Sequence, residues 1–353
     1  MCLARLALPL LPMMLSVIAS PAVAGILQPH RAVYDLQLED ATDRSGITGI
    51  SGRMVYDFHG SACDGYVVTF RFVTRIDTDE VSRITDQQTT TYEEGDGSGF
   101  SFVTRSFIDG QLEHELRGRA TAGANNTDVA LEKPEESTFA LALTQFPTHH
   151  MLELIEKAEE GETFYETTLF DGSDAADKVM TTTVVIGNET RSNEGDPEYK
   201  ALGPLASDSY WPVDVAYFDV SDGDEVPTYR ISFKLHRNGL TRDLVMDYGD
   251  FSMEGKLVEL DLAAGEPSRK QNEEPQARPK RTGFHQVTSG ETLWSIAQRY
   301  YGTDAGAKIR SIAQANRYSV RNPNRIFPGQ MLAIPQAFAH LAQAQATDPS
   351  CDD

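Results

Sequence analysis

The sequence predicts a mainly β protein, in which a large antiparallel sheet with one helix curls into an open barrel or β-spiral and a small α+β module follows. Three observations support this prediction. Segments in which apolar and polar residues alternate recur from residue 34 to residue 248, as in strands with one apolar face. Turn signals such as Asp109-Gly110 and Asn238-Gly239 separate them. Residues 284–335 then change to helical spacing.

The alternating segments predict the strands of the sheet. Further turn signals stand at Asp96-Gly97, Asp171-Gly172 and Asp222-Gly223. Because so many strands within about 240 residues have to hide their edges, an open barrel or spiral is favoured over a flat sheet. The predicted strands are VYDLQL, VVTFRFV, FSFV, TTVVI, ISFKL and DLVMDY.

One helix interrupts the strand pattern after Thr148. Apolar residues recur there at the spacing of a helix face, and Gly161 is placed to end the helix. The predicted apolar face consists of Met151, Leu152, Ile155 and Ala158.

The N-terminal residues 1–24 have the pattern of a signal peptide. Arg5 precedes an apolar run, and Ala22-Val23-Ala24 matches a cleavage site before Gly25. We therefore expect cleavage after Ala24 and a periplasmic mature chain. Since no later stretch holds eighteen uninterrupted apolar residues, no transmembrane anchor is expected.

Charge divides the chain into two unlike parts. Residues 25–262 contain 19 Lys/Arg against 45 Asp/Glu, whereas residues 284–335 contain 6 against 2. The acidic part argues against nucleic acid or anionic lipid as its partner. Residues 263–283, rich in charge and Pro, predict a linker, and residues 336–353 a polar tail.

The basic part predicts the element order strand, helix, helix, strand. Phe284 to Val287 lead into a Ser289-Gly290 turn, and Thr292 is placed to cap the first helix. Gly302 is expected to end that helix and Asn316 the second one. The buried positions are Leu293, Ile296, Ala297 and Tyr300 in the first helix, Ile309, Ile312 and Ala313 in the second, and Met331, Leu332 and Ile334 in the return strand.

Residues 284–335 resemble the LysM (lysin motif) module throughout, in the phrases SGETLWSIA and NPNRIFPGQMLAIP. The resemblance implies a peptidoglycan-binding module that holds N-acetylglucosamine-containing glycans in a shallow groove between two loops. Where the family more often has Asp, this chain has Glu291. Trp294 could stack on a sugar ring, but its place on the helix beside Leu293 and Tyr300 favours the core. The predicted groove residues are Gly290, Glu291, Thr292, Asn322, Pro323 and Ile326.

Residues 27–260 are similar to the EipB-like family of periplasmic cell-envelope integrity proteins. The similarity rests on an ordered series that includes GRMVYDFHGSACDGYVVTFRFVT, FPTHHMLELIEKAEEGETF and PTYRISFKLHRNGL. It implies a long β-sheet wound into a spiral and no established enzymatic activity. It also implies a disulfide from Cys63 to a cysteine near the C-terminus, for which Cys351 is the candidate, although the LysM-like module intervenes.

Because LysM modules often deliver wall hydrolases, Cys63 has an enzymatic interpretation beside a structural one. Cys63 with His149 or His150 as a base would make a cysteine nucleophile. That chemistry needs the thiol at a helix N-terminus, whereas the residues after Cys63 predict a strand. A disulfide or structural role for Cys63 is therefore favoured.

No cofactor or metal site is expected. The pair His149-His150 has no accompanying ligand motif, and a histidine bonded locally at a helix start is favoured. The acidic runs at residues 77–80, 93–96 and 219–225 lack the spacing of a calcium loop. Two interpretations of the barrel interior remain: a filled core, or a cavity that holds a lipid or peptide.

These patterns together predict a non-enzymatic cell-envelope factor that its LysM-like module holds at the wall. The expected partners are peptidoglycan and another envelope protein. A LysM-targeted peptidoglycan hydrolase and a lipid or peptide carrier are the alternatives.

Overall fold

The computed structural model describes residues 27–173, 175–219, 226–262, 282–287, 290–301, 305–316, 320, 322–323, 325–326 and 331–335. Within them, residues 30–262 form one long antiparallel sheet and residues 282–335 form a small module. The strands of the sheet are β1 (His30–Ala41), β2 (Ile47–Ser61), β3 (Gly65–Thr78), β4 (Ser82–Glu93), β5 (Gly99–Ile108), β6 (Gln111–Ala122), β7 (Asn126–Lys133), β8 (Ser137–Ala142), β9 (Phe164–Leu169), β10 (Met180–Ile186), β11 (Thr190–Arg191), β12 (Ser209–Phe218), β13 (Tyr229–His236), β14 (Thr241–Asp247) and β15 (Phe251–Leu262).

The sheet is an open barrel, as predicted. Its strand order is β8-β7-β6-β5-β4-β3-β2-β1-β15-β14-β13-β12-β10-β9, with β11 beside β12. The first and last strands are neighbours, with His30 opposite Leu262. Among the described residues, β8 and β9 remain the two edges, and a parallel bridge from Gln145 to Leu169 is the only ladder contact that spans the gap.

Because consecutive strands are antiparallel, their turns alternate between two ends of the barrel. We call one the Cys63 end, with the turns at residues 62–64, 94–98, 123–125 and 237–240. We call the other the Asp79 end, with the turns at residues 42–46, 79–81, 109–110, 134–136 and 248–250. At Asp109-Gly110, φ is 50° and 82°, which is the tight hairpin geometry that this dipeptide predicts.

Two apolar clusters fill the inner face, and a polar strand separates them. The larger one packs β1–β3 against β10 and β12–β15, and the smaller one joins β5–β7 to Phe146 and Phe170. The inner face of β4 lies between them and carries Thr85, Gln87 and Thr89. Since the inner face of this strand is polar and its outer face is mostly polar, hydropathic alternation did not predict it.

The helix after residue 146, α1 (Pro147–Glu160), packs into the larger cluster. Gly161 ends it with φ of 80°, as predicted. Ile155 and Ala158 are buried as expected, but Leu154 is buried as well, while Met151 and Leu152 are only partly buried. A short second helix, α2 (Tyr199–Leu202), and 3₁₀ turns at Asp43–Ser45 and Gly203–Leu205 add to the single helix predicted.

A bulge in β14 moves Arg242 from the inner face to the outer face. Asp243 has a left-handed φ of 52°, and the register with β13 shifts beside it. Arg242 is fully buried on the outer side, where it donates to Asp196 at 2.9 Å, Glu198 at 2.8 Å and His236 Nε2 at 3.0 Å. These bonds hold the segment around residues 196–198 against the sheet.

The C-terminal module has the predicted element order. It consists of β16 (Thr282–Gln286), α3 (Leu293–Tyr301), α4 (Ala305–Ala315) and β17 (Met331–Pro335), and β16 pairs antiparallel with β17. Its core confirms the helix faces inferred from the sequence, and Asn316 donates to the Ile312 carbonyl at the end of α4. Gly302 lies outside the described residues. The buried core residues are Val287, Leu293, Ile296, Ala297, Ile312, Val320, Leu332 and Ile334.

Candidate functional site

The loop before α3 forms the first side of the predicted glycan groove. Gly290 is exposed and has φ of 87°, a conformation that residues other than glycine rarely adopt. Thr292 caps α3 as predicted: its hydroxyl accepts from the Ser295 amide at 3.1 Å, and its amide donates to the Ser295 hydroxyl at 2.9 Å. This reciprocal pair fixes the direction in which the loop enters the helix.

Glu291 points into the module rather than outward. Its carboxylate lies 2.8 Å from His285 Nε2 and 3.3 Å from Arg299 Nη1. His285 is buried and contacts the Tyr300 hydroxyl through its other ring nitrogen at 3.2 Å. The Glu291 side chain therefore braces the loop, and Gly290 before it stays exposed. No sequence pattern indicated the part played by His285.

The second side of the predicted groove is described in part. Asn322 and Pro323 are exposed, and the Asn322 carbonyl accepts from the Arg325 amide at 2.8 Å. Ile326 packs against the module core. Residues 288–289, 324 and 327–330 lie outside the described residues.

The core position expected for Trp294 is wrong. Its side chain is 54% exposed, whereas Leu293 and Ile296 on either side of it are at most 2% exposed. The reason is geometric: successive helical residues are about 100° apart, so Trp294 falls outside the narrow buried stripe of α3. It follows Gly290, Glu291 and Thr292 within four residues of sequence and presents a large exposed aromatic ring.

In the barrel, Cys63 lies in the turn between β2 and β3, as the sequence indicated, and not at a helix N-terminus. A Cβ on Gly95 would come within 1.7 Å of the Ala62 carbonyl oxygen, so this turn packs tightly against the neighbouring turn at residues 94–98. Cys63 is disulfide-bonded. Its predicted partner, Cys351, lies outside the described residues, and their pairing stays a prediction.

The two histidines considered as a base or metal ligands both have structural partners. His149 contacts the Glu93 carboxylate through Nδ1, and Glu93 also accepts from the amides of Thr148 at 2.7 Å and His149 at 3.0 Å. His150 is buried, its Nε2 lies 3.2 Å from the Thr182 hydroxyl, and burial lowers its pKa. These contacts favour the local structural role over the catalytic or metal-binding one.

Two of the acidic runs, residues 77–80 and 93–96, lie within the described residues, whereas residues 220–225 of the third lie outside them. Within the described part of the chain, no group of three or more His, Cys, Asp or Glu side chains is arranged to hold a metal ion. Asp77 accepts from Arg75, Glu93 caps α1, and Asp219 pairs with Lys178. Among the helices of the described residues, none combines the length and apolarity that crossing a membrane requires.

The fold and its second domain define a class of protein in which a small module of strand, helix, helix and strand follows an open antiparallel barrel. The EipB-like family matches residues 21–264 and the LysM domain matches residues 285–335. The chain belongs to the EipB-like family and carries a C-terminal LysM domain.

Known proteins are similar to the barrel and to the LysM domain of this chain. The cell envelope integrity protein EipB of Brucella abortus is 56% identical over 246 residues, which are 69% of this chain and 87% of that protein. A crystal structure of a β-barrel-like protein of a domain of unknown function, also from Brucella abortus, covers 68% of this chain and 99% of its own with a TM-score of 0.65 and 56% identity. The potassium binding protein Kbp of Escherichia coli is 38% identical over 53 residues, which are 15% of this chain and 34% of that protein.

Proposed function

We propose that this protein is a non-enzymatic envelope integrity factor of the periplasm, held at the cell wall by its LysM domain. The observation that carries the proposal is the presence, in one chain, of an EipB-like barrel and a LysM domain with an exposed glycine loop. The relative EipB is named a cell envelope integrity protein. LysM domains bind peptidoglycan-type glycans, which lie in the compartment that the predicted signal peptide specifies.

The groove chemistry supports a glycan ligand. An N-acetyl group needs backbone donors and acceptors that a close approach makes accessible, together with an apolar contact. Gly290 is exposed with open space where a side chain would stand. Since Glu291 is held by His285 and Arg299, its charge is balanced within the module.

A hydrolase function has less support. A cysteine nucleophile reacts as a free thiolate, and Cys63 is disulfide-bonded. His149 contacts the Glu93 carboxylate, which also caps α1. This contact gives His149 a structural role at the start of the helix.

The proposal is tested by sedimentation of the mature chain, residues 25–353, with purified peptidoglycan sacculi. The whole chain is expected to pellet with sacculi, and a chain that ends at residue 262 is expected to stay in solution. Affinity is expected to be weak, with Kd on the order of 100 µM to 1 mM, because a single shallow groove buries little area. Equal pelleting of both chains would refute wall binding through the module.

The non-enzymatic part is tested separately by zymography on a gel that contains peptidoglycan. No lytic band is expected. A clear band that is lost in Cys63→Ala would replace the proposed function with a hydrolase.

A further inference from the structure

The two ends of the barrel differ in how completely the inner face is covered. At the Cys63 end, inward residues such as Phe58, Tyr66 and Leu235 are at most 5% exposed. The helix α1 is fixed across this end by the bonds from Glu93 to its first turn and by the ion pair of Glu159 with Arg237. The interior is therefore filled from this side.

At the Asp79 end, inward apolar side chains are only partly buried. An aromatic row crosses β12 to β15, with ring centroids 5.4 Å apart for Tyr217 and Tyr229 and 5.0 Å apart both for Tyr229 and Tyr248 and for Tyr248 and Phe251. Tyr248 is 41% exposed. Further inward residues that are only partly covered at this end are Leu38, Ile47, Phe70, Phe72 and Ile76.

The apolar surface continues onto the rim of this end. Val81, Ile84 and Leu112 are each about half exposed, at 51%, 51% and 52%, and Val226 is 72% exposed. Val81 and Val226 lie in the connections at this end of the barrel, whereas Ile84 and Leu112 lie on the outer face of the sheet, opposite Arg75 and Phe107.

A polar band lies inside the opening. The hydroxyls of Thr74 and Thr85 are 2.6 Å apart, and those of Thr89 and Thr104 are 3.0 Å apart. Gln87 stands between them on the inner face, opposite Phe72, and is exposed. The Thr hydroxyls are paired with each other, and Gln87 is the exposed polar group of the band. A hydrocarbon chain would desolvate its amide without compensation, whereas the amide groups of a peptide would hydrogen-bond to it.

The rim is acidic. The turns of the Asp79 end between β1 and β2, β3 and β4, β5 and β6, β7 and β8, and β14 and β15 contain seven carboxylates and one cation, Arg44. Two of these carboxylates are paired with cations, Asp250 with Arg44 and Asp109 with Arg83 of β4. Asp43, Asp79 and Glu80 are exposed. Such a rim attracts a positively charged ligand and repels an anionic one, within a range of about 10 Å at ordinary salt.

We propose that the open Asp79 end of the barrel binds an extended apolar peptide segment that is flanked by Lys or Arg. The aromatic row and Phe72 contact its apolar side chains, the Thr and Gln band receives its backbone amides, and the acidic rim holds its basic flanks. This site is independent of the LysM groove.

The probe for the test is a dansyl-labelled synthetic peptide with a centre of Leu, Phe and Val and two Lys at each end, compared with the same peptide flanked by Glu. Binding to the mature chain is measured by fluorescence anisotropy. We expect the Lys-flanked peptide to bind at least about tenfold more tightly, and the difference to shrink in 0.5 M salt. Equal binding of the two peptides, or binding of neither, would overturn the proposal.

Neighbouring positions on the two faces of β4 provide a matched pair of variants. Gln87→Trp fills the inner face without removing a core side chain. It is expected to weaken the affinity of the barrel for the Lys-flanked peptide at least about tenfold. Gln88→Trp lies on the outer face and is expected to leave binding unchanged. The double variant Asp79→Asn, Glu80→Gln is expected to reduce the preference for Lys flanks. Equal effects of Gln87→Trp and Gln88→Trp, or binding of a dansylated undecyl chain without binding of the peptide, would contradict the assignment.

Discussion

Glu93 accepts a hydrogen bond from the backbone amide of Thr148 at 2.7 Å across fifty-five residues of sequence. The carboxylate, only 2% exposed, stands at the N-terminus of α1, where the amides lack partners within the helix. The residue preceding the helix, Phe146, makes no side-chain cap. One strand therefore supplies the cap that the sequence around the helix does not contain.

Replacement of Glu93 is expected to destabilise the barrel. Glu93→Ala leaves the amides of Thr148 and His149 buried without an acceptor, which costs about 2–3 kcal/mol in the free energy of unfolding. Urea unfolding followed by circular dichroism measures this loss. Glu136→Gln, at an exposed position in the turn before β8, serves as the control and is expected to change stability by less than about 0.5 kcal/mol. Similar stabilities of Glu93→Ala and the parent protein would show that the cap is not important.

His236 is expected to make the barrel less stable in mild acid. Burial and the neighbouring Arg242 charge lower the pKa of His236 to about 4, whereas an unfolded histidine has a pKa near 6.5. Between these values the unfolded state binds the proton and the folded state does not, so stability falls as pH decreases from about 6.5 to about 4. The contribution is at most about 3 kcal/mol.

The variant His236→Gln tests this pH dependence. Its amide oxygen can still accept from Arg242, but it does not titrate. The pH dependence of its urea midpoint between pH 6.5 and pH 4 is expected to be flatter than that of the parent protein. Parallel curves for the two proteins would assign the acid sensitivity to other buried histidines, such as His150 and His30, whose pKa burial also lowers from the ordinary value.

Trp294 is expected to contribute to wall binding. If its exposed ring stacks on a sugar, Trp294→Ala should weaken sedimentation with sacculi about threefold to tenfold, while Trp294→Tyr, which retains a ring, should preserve most of it. Circular dichroism of both variants is expected to match the parent protein because the side chain is 54% exposed. Identical pelleting of Trp294→Ala and the parent chain would remove Trp294 from the binding surface.

Two glycines of the LysM domain make a matched pair. Gly290 has φ of 87°, so Gly290→Ala is expected to destabilise the domain by about 1 kcal/mol and to lower wall binding. Gly306 lies in α4, and no atom is within 4 Å of the place that an added Cβ would take, so Gly306→Ala is expected to stabilise the domain by about 0.5–1 kcal/mol. Thermal unfolding of the mature chain measures both effects. A stabilising Gly290→Ala would mean that the loop takes another conformation in solution.

The pairing of Cys63 with Cys351 remains a prediction with a direct test. Cleavage of the non-reduced mature protein within residues 263–283, followed by mass spectrometry of its peptides, should give one species that joins the segment around Cys63 to DPSCDD. Two alkylatable thiols on protein taken from the periplasm would refute the pairing. Formation of a loop of nearly three hundred residues would stabilise the fold by at most about 5 kcal/mol in the chain-entropy treatment.

Alternating hydropathy predicted β1, β3, β5, β10, β13 and β14, but it missed β2, β12 and β15 although each of them has an apolar inner face. The strand β3 was predicted because Phe70 and Phe72 alternate with Thr69 and Arg71. The strand β4 was not, because Thr and Gln line its inner face and no hydropathic contrast remains. Turn chemistry located Asp109-Gly110 correctly, since a two-residue hairpin is a local property.

The groove loop and the caps show the same division between local and distant causes. The Thr292 cap was predictable because its partner Ser295 is three residues away. The contact of Glu291 with His285 and the cap from Glu93 to α1 depend on how separate elements pack, and no local pattern encodes them. The error at Trp294 arose because a helix face of a fifty-residue domain is narrower than the apolar pattern suggested.

The neighbouring positions of His30 and Leu262 give the barrel a direction. Both residues lie at the Cys63 end, so the chain enters and leaves the barrel at the same end. If the proposed wall binding through the LysM domain holds, the attachment is connected to the Cys63 end, and the Asp79 end is the opposite end of the barrel. The strand order thus makes the two ends of the barrel unequal, because one end receives both chain connections and the other receives neither.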